Sequence, residues 1–185
     1  MPHKVATCEL VTRMSPTAQI AGACNAIRRE ADGTLTGDMF DGDGFVRGIQ
    51  RKGFRTIGAR ALVTGCGGVG SAIAASLAAA GVSALTLFDA RESTANALAA
   101  RLQAHYPQLR LTVMSCDPAG HDLVVNATPL GMSAGDPLPV EMSRVAPDTF
   151  IGEVVMKQEY TPFLQAALER GCPVQRGTDM LFEMI

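Results

Sequence analysis

The sequence has no CxxC pair, no cluster of histidines, no large surplus of either charge and no long uninterrupted apolar run. Its five cysteines, Cys8, Cys24, Cys66, Cys116 and Cys172, are odd in number and far apart. That spacing excludes a zinc ribbon and a CxxC redox pair, so reduced thiols of the cytoplasmic kind are expected. The three histidines, His3, His105 and His121, are equally scattered, and no metal site is expected from them. A formal net charge of -2 with 18% charged residues gives no electrostatic attraction for nucleic acid or an acidic membrane, which leaves small molecules as the expected partners. Met1-Pro2-His3-Lys4 leads into a mixed polar segment and not into an apolar signal core. The most apolar stretch, Ala72 to Phe88, is broken by Gly81, so it reads as helix, turn and strand rather than a membrane span. A soluble, cytoplasmic protein is the expectation.

What is present is a core: 47% of the 185 residues are hydrophobic, enough for one well-buried domain and a smaller piece. The first sixty residues show only fragments of pattern. Val5 to Ala21 reads as a short helix with a break at Ser15-Pro16, and Cys24 to Arg28 as a strand before an Asp32-Gly33 turn. From Arg60 the pattern turns regular. ALVTG, ALTLF, LRLTVM, DLVVNAT and TFIGEVV read as strands, with helices over Val69 to Ala80, Glu92 to His105 and Thr161 to Arg170, the last closed by Gly171 before PVQRG. Alternation of this kind predicts an α/β fold, a doubly wound parallel sheet with right-handed crossovers. The boundary falls in the Lys52 to Arg60 region.

GCGGVG, Gly65 to Gly70, places glycines at the first, third and sixth positions after one of these strands and at the start of a helix. Gly65 would allow the sharp turn, Gly67 the approach of a pyrophosphate, and Gly70 close packing of helix on strand. Cys66, Gly68 and Val69 complete the loop, whose N–H groups at a helix start attract the anion. Asp89 closes the second strand at the distance, about 20 residues on, where a carboxylate accepts hydrogen bonds from the adenosine ribose. It would repel a 2'-phosphate, which argues for NAD. Arg91 could offset that repulsion, which keeps NADP open.

Several segments together resemble the shikimate dehydrogenase family and its quinate/shikimate dehydrogenase relatives: PHK at Pro2 to Lys4, GACNAI at Gly22 to Ile27, GDMFDGDGF at Gly37 to Phe45, GCGGVG, NATPLGM at Asn126 to Met132, and TPFLQAALERG at Thr161 to Gly171. NATPLGM and PHK count against a Rossmann enzyme acting on a folate or an amino acid. The resemblance implies a Rossmann-type NAD(P)-binding domain over 56–185 with its closing helix cut short. Before it, over 1–55, it implies a remnant of an α/β substrate domain. It implies hydride transfer between a nicotinamide and a shikimate- or quinate-like hydroxy carboxylate, with Lys4 and Asp41 as the catalytic pair and Asn25 and Asp41 on the substrate. Val154 and Gly177 would approach the nicotinamide through their backbone. Relative to the family pattern the strands preceding PHK are absent, so residues 1–51 are expected to be loose, or to be completed by another chain in a homodimer or similar assembly. A nucleotide-binding relative without turnover is the alternative function.

In GDMFDGDGF the acids miss the spacing of a calcium-binding EF-hand loop. Gly42 and Gly44 read as a bent backbone leading into a helix near Phe45. Asp41 is the member the resemblance selects, while Asp38 and Asp43 read as solvated. Met39 and Phe40 stand where the family has polar residues, and Met156 and Met184 fall on its tyrosine and glutamine positions, so a more apolar substrate pocket is expected.

Overall fold

The computed structural model describes residues 3–184, so Pro2 of the PHK segment lies outside the described residues. From the amino end, a 3-10 turn (Ala6–Leu10) leads to strand β1 (Arg13–Met14), helix α1 (Pro16–Ala21), strands β2 (Ala26–Arg29) and β3 (Leu35–Asp38), and helix α2 (Asp41–Arg51). Then come β4 (Arg60–Thr64), α3 (Gly68–Ala79), β5 (Ala84–Phe88), α4 (Glu92–His105), β6 (Arg110–Val113), β7 (Leu123–Asn126), β8 (Phe150–Glu153), α5 (Pro162–Glu169), β9 (Val174–Gln175) and α6 (Gly177–Phe182).

The later strands form one six-stranded sheet in the order β6-β5-β4-β7-β8-β9, with every pairing parallel. The order runs outward from β4 in both directions, which is the doubly wound arrangement with its switch point between β4 and β7. β7 and β8 are buried at every residue, the condition under which strands read as unbroken apolar runs. On one face Leu62, Val124 and Ile151 pack against Phe163, Leu164 and Ala167 of α5. On the other, Val63, Leu87 and Val125 meet Ile73 and Leu77 of α3 and Leu98 and Leu102 of α4.

Against the expectation that residues 1–51 are loose or completed by another chain, the apolar side chains of the described early residues find partners inside this same chain. Phe45 and Ile49 of α2 are fully buried in the main core, and a Cβ added at Gly152 of β8 would lie 2.4 Å from the Phe45 ring. Burying a side chain of this size contributes roughly 1.5–3 kcal/mol. The backbone is satisfied as well. β1 is not helical but pairs in parallel with β3, while β2 pairs with β3 antiparallel. The helix read over Val5 to Ala21 therefore reduces to the 3-10 turn and to α1, whose cap is Ser15 Oγ accepting from the Ala18 N–H at 3.2 Å. Sheet pairing outweighs local helical pattern in between.

Gly42 and Gly44 also take a different role from the bend read in the sequence: they lie inside α2. A Cβ at Gly42 would sit 2.1 Å from the Ala72 carbonyl oxygen, and one at Gly44 would sit 2.6 Å from the Met180 carbonyl oxygen. Glycine is required there by the closeness of α3 and α6. α3 is in turn buried all round, from Gly70 to Ala78, because it is sandwiched between the sheet and the early helices. That is why its sequence is a run of alanines and serines. Among the described residues no helix is long and apolar enough to cross a membrane.

Candidate active site

The parallel register brings the carboxyl ends of four strands level: Thr64 pairs with Phe88 and Asn126, and Asn126 with Glu153. The turns that follow these residues therefore cluster at one edge. The glycine turn occupies the centre. Gly65 has φ 87°, and a Cβ at Gly70 would fall 1.8 Å from the Gly65 carbonyl oxygen, so both glycines are demanded by the protein itself. At Gly67 an added Cβ would meet nothing within 4 Å. Its lack of a side chain serves the open side of the turn, which fits a phosphate group approaching the main chain. Gly67 is the N-cap of α3 and offers no side-chain cap, leaving the first-turn N–H groups of Gly68, Val69 and Gly70 to an anion.

Asp89 accepts from the Cys66 N–H at 2.8 Å and from the Arg91 N–H at 2.9 Å, one bond to each carboxylate oxygen. The acid is thus oriented at the edge of the glycine turn with lone pairs to spare, as a ribose contact needs. Cys66 contributes main chain only. Its thiol is buried beneath the turn, and desolvation, with Asp89 adding to it, pushes it up to about 12. The Arg91 side chain is exposed beside Asp89.

Lys4, Asn25 and Asp41 come together from three separate segments. Lys4 Nζ is paired with Asp41 Oδ2, and Asn25 Nδ2 donates to Asp41 Oδ1 at 2.7 Å. Asn25 Oδ1 accepts from the Phe40 N–H at 3.0 Å, so the amide is fixed at both ends. Main-chain bonds align the segments, the Cys24 N–H donating to the Lys4 carbonyl at 2.8 Å and the Asn25 N–H to that of Asp38 at 3.0 Å. Asp41 is only 4% exposed. A cation, a carboxylate and an amide held in this way form a unit able to bind a hydroxyl and move its proton.

The trio opens into a cavity of about 310 Å³ whose remaining wall includes Val69, Val154 and Met156. Met180, Leu181 and Met184 complete it from α6 and the residues after it. Val69 belongs to the glycine turn and Lys4 to the trio, so this single cavity joins the two groups of expected site residues. Gly177 approaches Val154 and Val155 closely: a Cβ there would lie 2.4 Å from the Val155 carbonyl oxygen. Met156 and Met184 line the cavity as expected, but Met39 does not. It is fully buried among Ala18, Ala21, Ala23 and Ala72, so its apolar character belongs to packing between α1 and α3. Phe40 is exposed and its main chain serves Asn25. Asp38 and Asp43, read as solvated, are both half-buried ties: Asp38 accepts from Ser15 Oγ and from the Met39 N–H, and Asp43 accepts from Ser76 Oγ at 2.8 Å.

Sequence reasoning missed Glu153, fully buried at the end of β8. Asn126 Nδ2 donates to both of its oxygens, at 3.0 and 3.1 Å, and Thr161 Oγ1 donates to Oε2 at 2.9 Å. The N–H groups of Val154 and Val155 donate to Oε1 at 2.8 and 3.1 Å. Burial pushes this carboxyl above the ordinary range while the donors pull it back. The one signal was an acid inside the apolar run TFIGEVV. Asn126 also ties the NATPLGM turn, accepting from the Thr128 N–H at 3.1 Å and hydroxyl at 2.6 Å and donating to the Leu130 carbonyl at 2.9 Å. Among the described residues no three histidine, cysteine or acidic side chains converge as a metal site would require.

No protein-family model matches the chain. Over 185 residues it is 36% identical to the shikimate dehydrogenase (NADP(+)) of Rubrobacter xylanophilus, an alignment covering 98% of this chain and 65% of that protein. Among solved structures, shikimate 5-dehydrogenase from Listeria monocytogenes in complex with shikimate and NAD is similar with a TM-score of 0.90 and 26% identity. That match covers 100% of this chain and 68% of the other. Quinate dehydrogenase from Corynebacterium glutamicum in complex with NAD has a TM-score of 0.87 and 32% identity, over 99% and 67% of the two chains. The chain spans 65% of the length of the Rubrobacter relative.

Proposed function

The chain belongs to the shikimate dehydrogenase family, and from that membership we propose that it is an NAD(P)-dependent dehydrogenase acting on a shikimate- or quinate-like hydroxy carboxylate. The observation that carries this reading is the shared cavity, lined by the Lys4–Asp41–Asn25 trio together with Val69 of the glycine turn and Val154 just past β8. A bound nicotinamide supplies the hydride acceptor or donor. Glycine turn main chain and the α3 start would hold its pyrophosphate, Asp89 its ribose, and Val154 with Gly177 the backbone wall at its reactive end.

The rest of the chemistry falls to the trio. As hydride leaves the hydroxyl-bearing carbon, the hydroxyl proton must leave too, and the neutral Lys4 amine is the group placed to take it and become the ammonium. Asp41 holds the ammonium in position through one oxygen, and Asn25 fixes the other oxygen so that the carboxylate cannot rotate away. Asn25 and Asp41 also offer the polar surface for a neighbouring hydroxyl. Positioning of this kind lowers the barrier by pre-organising the proton path before substrate arrives.

Asp89 supports NAD as the preferred cofactor, since its charge opposes a 2'-phosphate, while exposed Arg91 leaves room for NADP. A second reading, nucleotide binding without turnover, is favoured by Met156, Met180, Leu181 and Met184, which give the cavity few polar contacts beyond the trio. A steady-state assay with shikimate and with quinate, each paired with NAD and NADP, separates the two. The dehydrogenase reading expects reduced cofactor to form, faster with NAD. No reduced cofactor with any pair, alongside measurable NADH binding, favours the second reading and overturns the first.

A further inference from the structure

Glu153 is a buried acid without a cation: its four donors are an amide, a hydroxyl and two main-chain N–H groups, and among the described residues no lysine or arginine lies within ion-pair distance. Taking a carboxylate out of water costs several kcal/mol, and a well-packed neutral residue would often serve the fold as well. Its donors show what the charge accomplishes. The N–H groups of Val154 and Val155 fold back onto Oε1, which pins the main chain as it leaves β8. Asn126 and Thr161 bring the NATPLGM turn and the start of α5 onto the same carboxylate. Gly177 then seats against the pinned Val154–Val155 segment, with a would-be Cβ 2.8 Å from the Val154 carbonyl oxygen.

We propose that Glu153 is a positioning residue for the nicotinamide end of the cofactor, acting through the Val154 main chain and not by touching the ligand. The inference rests on the dinucleotide-binding reading above. It goes beyond that reading by assigning the geometry of one half of the cofactor site to a side chain outside the cavity. The adenosine half depends on the glycine turn and Asp89, neither of which bonds to Glu153, so the two halves should respond differently to its loss.

The test compares NADH with ADP-ribose, which keeps the pyrophosphate and adenosine and lacks nicotinamide. In Glu153→Gln an N–H2 replaces one acceptor and faces the donors of Asn126 or of the main chain. Loss of hydrogen bonds to a charged group should weaken NADH about tenfold or more, with ADP-ribose changed less than about twofold, both by calorimetry. Equal weakening of the two ligands, or unchanged NADH affinity, overturns the proposal. If Glu153→Gln does not fold, Glu153→Asp keeps the charge but withdraws it by one methylene, and the same selective loss is expected. Equal effects on both ligands in that variant overturn the proposal too. A wild-type chain that binds neither compound overturns the cofactor reading itself and this inference with it, a result distinct from a wild type that binds both and variants that lose both alike.

Discussion

The glycine turn and the Lys4–Asp41–Asn25 trio line one cavity but are held in place by different means. The turn hangs from strands buried at nearly every residue, and its working groups are main-chain N–H donors set by close contacts at Gly65 and Gly70. The trio is made of side chains on three short segments, beside a sheet of only three strands whose β2 is largely exposed. What fixes the trio is α2, which begins with Asp41 and drives Phe45 into the core of the larger sheet. A main-chain site is damaged by adding atoms, and a side-chain site by removing them.

That contrast can be broken from either side. Phe45→Ala should remove the anchor of α2 and lower stability by about 3–5 kcal/mol, read from urea denaturation. A loss below about 1 kcal/mol would mean that the early residues pack loosely after all. On the main-chain side, Gly67→Ala should leave stability nearly unchanged, because an added Cβ meets no protein atom. It should weaken NADH about tenfold by crowding the phosphate, a difference worth about 1.4 kcal/mol. Unchanged NADH affinity would show that the open side of Gly67 is not where the phosphate lies.

The smallest expected effect concerns acid. Arg144 and the Ala119 N–H hold the Asp117 carboxyl at about 2, below its ordinary 3.8. Its folded value is depressed, so its contribution to stability is present above pH 3.8 and lost as pH falls through about 2. Asp117→Asn should therefore flatten the fall of Tm with pH in that window, by a small amount because the pair is exposed. An acid slope equal to that of the wild type would remove the pair from the account. Glu153 acts with the opposite sign. Burial raises its folded value above 4.5, so its contribution is present below that pH and is lost as pH rises through the raised value.

The regular half of the molecule was legible in the sequence because buried parallel strands are continuous apolar runs and because α4 carries its own helical pattern from Glu92 to His105. The parallel sheet and its glycine turn emerge as expected. Elsewhere the same residue types served two purposes. Gly42 and Gly44 read as a bend because glycine is a turn residue, yet close helix packing demands glycine just as firmly. Met39 read as pocket because it stands beside Asp41, and nothing in a single sequence tells which way its side chain points. β1 was hidden because two residues of strand leave no periodicity. Lys4, Asn25 and Asp41 were visible only through resemblance, since spacing alone cannot bring a terminal lysine to a residue thirty-seven positions away.

The most direct test of the account is hydride transfer in the Lys4→Met variant, saturated with NAD and mixed with shikimate or quinate, followed as NADH formation beside the wild type. If the trio moves the proton while the sheet side holds the cofactor, the rate falls by about 10²- to 10⁴-fold with NADH affinity within about twofold of the wild type. An undiminished rate, or a loss of NADH affinity as large as the loss of rate, would contradict it.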